Sequence, residues 1–368
     1  MKVVFRVDAS LQIGTGHVMR CLTLADVLAE RGAECHFICR VHQGNLIDLV
    51  RSKGYAANAL PCESSISAID GRLPHADWLG ASQQRDAQAC FPILQTIQPD
   101  WLIVDHYALD SEWELELKPH YRQLMVIDDL ADRFHQCDLL LDQTFGRDAG
   151  DYRRWVPGNC QLLCGSQYAL LRREFAALRA YSVKRRAEPQ LRQLLIAMGG
   201  VDKNNATGEV LKALRVCPLP ADCQITVVMG STAPWLFEVA NQAQSMPWPT
   251  HVLVGVNEMA QLMADCDLAI GAAGATSWER CCLGLPAVML VLADNQRTIA
   301  QALYDVGAAQ LTDTRELANQ PLIASQLIDH KTLRSMTAAA LAVTDGLGAK
   351  RVVDILTTRP KYANQSAV

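Results

Sequence analysis

No stretch of this sequence carries the run of about eighteen apolar residues that a membrane-spanning helix needs. The first apolar segment begins without the basic start and longer apolar core of an export signal. These absences exclude membrane insertion and make the cytoplasm the expected location. A basic excess is also missing: 34 Lys and Arg against 39 Asp and Glu give a formal net charge of −5. That balance argues against a nucleic-acid partner and leaves any anionic ligand to local donors. The 13 cysteines form no disulfide framework, since their number is odd, the chain is long and their spacings follow no plan. Cys35/Cys39 and Cys160/Cys164 lack a second pair at zinc spacing, and Cys281-Cys282 falls in a helical pattern. The thiols therefore read as reduced small hydrophobes, and no metal site is expected. Repeats of solenoid period and low-complexity tracts are absent too.

What is present is a chain of 368 residues, half apolar and a fifth charged, with the apolar residues in short Val, Ile and Leu runs. Length alone makes two domains the default. Strand patterns fall at residues 3–7, 35–39, 101–104, 124–127 and 139–141, with helical periodicity between them. The first helix, 18–31, repeats apolar residues at Val18, Cys21, Leu22, Ala25, Leu28 and Ala29 and stops at Gly32. The charged, proline-containing stretch 182–193, "SVKRRAEPQLRQ", reads as a linker. A second alternating series follows, with strands at 194–198, 225–229, 251–254, 268–270 and 287–292. The expected fold class is α/β, with two doubly wound Rossmann-type domains, 1–185 and 190–368, facing a central cleft. The last helix is free to pack back on the N-terminal domain.

The stretch "RVDASLQIGTGHVMRC", Arg6 to Cys21, hands a strand over to a helix through Gly14, Gly16 and His17. Glycines there let backbone N–H groups approach a ligand. A dinucleotide fingerprint would need a small residue where Met19 stands and an acid where Arg40 stands, so no nicotinamide cofactor is expected. A histidine at a helix start can simply end a loop. Here, however, a helix N-terminus disfavours imidazolium and leaves a lone pair available as a base. Asp8 and Ser10 follow the same strand, and Asp105, His106 and Tyr107 end another, so these positions converge at strand ends. Asp8, Asp105, Gly14 and Gly16 are therefore candidate substrate-binding residues around a catalytic His17.

In the second half, "LLIAMGG" ends in Gly199 and Gly200, a second candidate binding turn, and "ITVVMGS" ends in Gly230-Ser231. Either turn is also explained as a plain tight connection. "DLAIGAAGATSWERCCLGLPAV" is more telling, because small residues and hydroxyls open a helix and Glu279 lies one turn inside it. Unpaired amides at Gly274, Ala275 and Thr276 suit a diphosphate, and Glu279 can accept from a diol such as a ribose. No lysine follows the glycines, so this is not an ATPase P-loop. Asp128-Asp129 is contiguous and fits no metal-binding DxD cluster; it is either structural or orients His17.

Taken in order, "RVDASLQIGTGHVMRC", "IVDHY", "VIDD", "YALLRREF", "AMGGVD", "GAAGATSWE", "LADNQ" and "DGLGAKR" resemble the UDP-2,4-diacetamido-2,4,6-trideoxy-β-L-altropyranose hydrolases of pseudaminic acid biosynthesis. That family is similar in fold to the GT-B glycosyltransferases, in particular the lipid II N-acetylglucosaminyltransferase. The resemblance implies a UDP-sugar substrate, His17 as base and Tyr107 orienting sugar or water. It further implies Glu279 on the ribose, Gly274, Ala275 and Thr276 on the diphosphate, Asn295 and Gln296 on the sugar, and Val256 and Met259 framing uracil. A monomer without cofactor or metal is expected, and the loop 63–85 is a place where substrate choice could differ. Three rivals stand beside this: a glycosyltransferase with a hydroxyl acceptor, a UDP-N-acetylhexosamine epimerase, and an inactive UDP-binding homologue.

Overall fold

The computed structural model describes residues 1–62, 73–293, 296–313 and 322–358. The chain forms two compact units. The first comprises Met1–Gln143, Arg147–Leu170 and the chain from Leu347 on; the second comprises Thr144–Gly146 and Leu171–Gly346. No described helix is long and apolar enough to cross a membrane.

In the first unit seven parallel strands form one sheet: β1 (Lys2–Val7), β2 (Glu34–Arg40), β3 (Ala56–Leu60), β4 (Trp101–Asp105), β5 (Gln123–Ile127), β6 (Leu139–Asp142) and β7 (Gln161–Cys164). Their order is β3-β2-β1-β4-β5-β6-β7, so the winding direction reverses beside β1. Strands buried on both faces read as nearly continuous apolar runs. After the exposed Lys2, β1 fits that rule except at Arg6, which is fully buried. The helix Gly16–Glu30 covers one face with Val18, Cys21, Leu22, Ala25 and Leu28. Gly32, just beyond its end, has φ +78°, a left-handed position that disfavours any side chain. The helix Gly348–Thr358 belongs to this unit: Val352, Val353 and Leu356 join the same core, and Trp101 Nε1 donates to the Leu356 carbonyl at 3.3 Å.

The second unit holds a six-stranded parallel sheet: β8 (Gln193–Ala197), β9 (Gln224–Met229), β10 (Thr250–Val254), β11 (Leu268–Ala272), β12 (Ala287–Leu290) and β13 (Ala309–Thr312), in the order β10-β9-β8-β11-β12-β13. Here the winding reverses between β8 and β11. Both units are thus doubly wound Rossmann-like sheets, and ligands of such sheets gather outside the carboxyl ends of the strands flanking the reversal.

Two sequence expectations need correction. Residues 182–193 are not a plain linker, because the helix Arg173–Arg185 runs into them. That helix is pinned to the second unit: Arg179 donates to the carbonyls of Cys282 at 2.7 Å and Leu341 at 2.8 Å, and Ser182 Oγ to that of Leu283 at 2.6 Å. The division between units therefore falls at Leu170, ahead of this helix, and not at 185. Arg186, charged yet buried, closes the carbonyl end of the helix Met259–Asp265 by donating to Met263 and Cys266. The other correction is three omitted strands, β3, β7 and β13.

Candidate active site

At the carboxyl end of β1, Ser10 organises the turn that leads to His17. Its hydroxyl accepts from the amides of Gln12 at 3.1 Å and Ile13 at 2.9 Å, and its carbonyl accepts from the Gly14 amide at 2.8 Å. Gly14 closes this ring at φ +81°, a conformation that a side chain would strain. His17 is then the second residue of the helix Gly16–Glu30.

His17 Nδ1 lies 2.6 Å from Asp105 Oδ1, at the end of the neighbouring strand β4. The two side chains differ in access: that of Asp105 is 0% exposed and that of His17 11%. Arg20, one turn along the helix from His17, grips the same carboxylate with both arms, Nε to Oδ2 at 2.6 Å and Nη2 to Oδ1 at 2.7 Å. Burial pushes the Asp105 carboxyl up, but Arg20 and then His17 outweigh it and hold it well below the ordinary carboxylate range. An ionised Asp105 accepts the Nδ1 proton of the imidazole, which leaves the Nε2 lone pair for chemistry. Arg20 Nη1 also donates to Asp129 Oδ2 at 2.7 Å, and the Tyr107 hydroxyl donates to that same oxygen at 2.7 Å. The Tyr107 ring meets His17 edge-on, with centroids 4.7 Å apart. Burial, reinforced by Asp129, pushes the Tyr107 phenol far up, so it stays a proton donor to Asp129.

This geometry sorts the sequence candidates. Gly14, Gly16, His17, Asp105 and Tyr107 come together, but Asp105 is corrected as a substrate-binding residue, being fully buried with both oxygens held by His17 and Arg20. Asp8 is corrected likewise. It is 1% exposed, accepts from Arg6 Nη1 at 2.7 Å and the Arg40 amide at 2.6 Å, and faces His106 Nε2 at 3.2 Å. It belongs to a buried charge cluster with Asp86, which Arg6 and Arg40 both grip at 2.6 Å. Charges taken out of water must be paired, and here they are. Of the pair weighed as structural or as orienting His17, Asp129 reaches the site through Arg20 and Tyr107, whereas Arg20 is not singled out by the sequence, although it stands at helical i+3 from His17 and so shares its face.

In the second unit, Gly199, at φ +99°, and Gly200 are exposed at the end of β8. A Cβ on Gly230 would stand 2.1 Å from the Gly200 carbonyl oxygen, so the turn after β9 is a close-packed connection. The turn after β11 leaves Gly274 and Thr276 half-buried and Ala275 exposed, with Thr276 opening the helix Thr276–Cys282. Glu279 lies in that helix, 3.8 Å from Arg172 Nη2. Burial pushes its carboxyl up to about 7, opposed first by Arg172. Half-buried Val256 and Met259 follow β10 on the same carboxyl edge, three strands or roughly 14 Å away. Gln296 spends its side-chain carbonyl on the Leu292 amide at 2.9 Å. Asn295 and residues 63–72 of the loop 63–85 lie outside the described residues.

Residues 162–342 match the glycosyltransferase family 28 C-terminal domain. Over 216 residues, 58% of this chain and 66% of the relative, the sequence is 30% identical to the UDP-2,4-diacetamido-2,4,6-trideoxy-beta-L-altropyranose hydrolase of Campylobacter jejuni. Over 214 residues, 56% of this chain and 62% of the relative, it is 32% identical to the spore coat polysaccharide biosynthesis protein SpsG of Bacillus subtilis. The chain thus matches a little under two thirds of each curated relative's length. Among solved structures, Acinetobacter baumannii MurG superposes with a TM-score of 0.69 at 16% identity, covering 97% of this chain and 99% of that one. The fold is accordingly of the GT-B type.

Proposed function

We propose that this chain, whose residues 162–342 match the glycosyltransferase family 28 C-terminal domain, is a hydrolase that removes UDP from a 2,4-diacetamido-2,4,6-trideoxyhexose, the β-L-altropyranose form first. The observation that carries this reading is the ionised, buried Asp105 held 2.6 Å from His17 Nδ1. His17 Nε2 takes a proton from water, and the resulting hydroxide attacks the anomeric carbon. The C1–O bond breaks, and UDP departs with the bonding electrons. Glycosidases expel an alkoxide and so commonly use two carboxylates, but UDP leaves as a stabilised anion and needs little acid assistance. One base is enough. Proton abstraction contributes about 10²- to 10⁴-fold, with the remainder from holding water and sugar in line and from donors to the diphosphate.

Within this reading, in the first unit Tyr107 and Arg20 fix the imidazole and Gly14 and Gly16 let a substrate approach; in the second unit Gly199 and Gly200 are substrate-binding. Gly274, Ala275 and Thr276 hold the diphosphate, Glu279 the ribose, Val256 and Met259 the uracil, and Asn295 and Gln296 the sugar. The Campylobacter jejuni hydrolase, which acts on this UDP-sugar, lends support, as does the match of residues 162–342. That same match favours a second reading, transfer of the sugar to a hydroxyl acceptor in place of water.

Incubation with a panel of UDP-2,4-diacetamido sugars in ¹⁸O-water, followed by NMR and mass spectrometry, separates these readings. Hydrolysis as drawn releases UDP without label and a labelled free sugar that first appears with inverted anomeric configuration. Label in UDP, or a 2-epimerised product, overturns it. UDP release that requires an added sugar or lipid hydroxyl favours the transferase.

A further inference from the structure

Among the described residues six arginines are buried: Arg6, Arg20, Arg40, Arg133, Arg186 and Arg280. Four of them pair with carboxylates, Arg6 and Arg40 with Asp86, Arg20 with Asp105, and Arg133 with Asp128. Arg186 instead faces the carbonyl end of the helix Met259–Asp265, whose partial negative charge offsets its own.

Arg280 has neither form of compensation. Its Nη2 donates to the Ala272 carbonyl at 2.9 Å and to Ser277 Oγ at 3.1 Å, and its Nη1 reaches Thr276 Oγ1 at 3.4 Å. All three acceptors are neutral, and among the described residues it makes no ion pair with a carboxylate. Two of them open the helix Thr276–Cys282, so the nearby amides add positive charge instead of offsetting it. Its sequence neighbour Glu279 is a weak counterweight, because burial pushes that carboxyl up to about 7 and its paired cation is Arg172. Space has been cleared for the guanidinium as well: a Cβ on Gly271 would stand 2.6 Å from Arg280 Nη1. A buried, uncompensated cation is costly and points to a counter-charge supplied from outside the chain.

We infer that Arg280 is the fixed counter-charge for an anionic ligand at the 271–276 turn, a positioning residue that favours a nucleoside diphosphate over its neutral nucleoside without touching it. This rests on the nucleotide reading above and adds to it the residue that sets the preference for charge.

Calorimetric titration of the full chain with uridine, UMP and UDP, for the wild type, Arg280→Met and Arg280→Lys, tests the inference. Arg280→Met is expected to weaken UDP about tenfold or more, UMP less, and uridine less than twofold, the order expected for one partly desolvated charge. Arg280→Lys keeps the charge and should hold the UDP-to-uridine affinity ratio within about threefold of the wild type. A purely structural arginine would weaken all three ligands equally, and that result, or unchanged UDP binding in Arg280→Met, overturns the inference while leaving the nucleotide reading intact. Should Arg280→Met fail to fold, a collapse of the ratio in Arg280→Lys overturns it and a preserved ratio supports it. A wild type that binds none of the three removes both.

Discussion

Replacing Asp105 by Asn alters catalysis and folding through separate contacts, so the two effects can be measured apart. An asparagine either donates to His17 Nδ1, which moves the ring proton to Nε2, or accepts from it without a charge to hold the tautomer. The first arrangement leaves no lone pair for water. The expected loss in kcat is about 10²- to 10⁴-fold, the range for an imidazole base deprived of its orienting carboxylate. On the folding side, the change leaves the buried Arg20 fork, now held at 2.6 and 2.7 Å by Asp105, against a neutral amide. Breaking a buried pair costs about 3–5 kcal/mol. Asp129, 2.7 Å from Arg20 Nη1, stays in place, so the lower end of that range is expected. Because the Asp105 carboxyl is held below its ordinary range, its stabilisation is fully present above pH ~4 and is lost only as pH falls toward strong acid. The stability difference between wild type and variant should therefore be flat from about pH 5 to 8. Urea denaturation and UDP release on the same preparation, at a temperature where the variant is folded, supply both numbers. A folded Asp105→Asn protein turning over within threefold of wild type would refute the reasoning.

Glu279 titrates in the opposite sense. With a folded value of about 7 against an unfolded value near 4.3, the native state binds more protons between them, so stability falls by up to about 4 kcal/mol as pH rises across that window and is level above it. Glu279→Gln should remove that slope in urea titrations. It should also abolish a strengthening of uridine binding from pH 6 to 8, uridine being chosen because it carries no phosphate of its own to titrate. Gly230→Ala places a methyl 2.1 Å from a backbone oxygen and should lower stability by about 1–3 kcal/mol, read as a drop in Tm. An unchanged Tm would mean the β8 and β9 turns part without cost.

The central strands of both sheets were legible because burial on two faces writes itself as continuous apolar runs such as "VVF" in β1 and "LIV" in β4. The missed strands, "AANAL", "QLLC" and "AQLT", all lie at sheet edges and are too short or too mixed to carry a pattern. The placement of His17 beside the end of β4 was legible from two glycines at a strand end combined with topology. Asp8 was misassigned because a strand-end carboxylate looks the same whether it faces a ligand or the interior; the informative residue was Arg6, a charge in the middle of an apolar strand. Arg186 misled in a similar way, since an arginine capping a helix's carbonyls is indistinguishable in sequence from one in a solvated linker. Arg280 was invisible for a different reason, as only coordinates reveal which charges lack a partner.

Single-turnover hydrolysis of the UDP-sugar by His17→Ala, with UDP affinity measured alongside, bears most directly on the whole account. The rate should fall by about 10²- to 10⁴-fold while the Kd for UDP stays within twofold. A rate equal to that of wild type at the same affinity would contradict it, because the water would then have been activated by some other group.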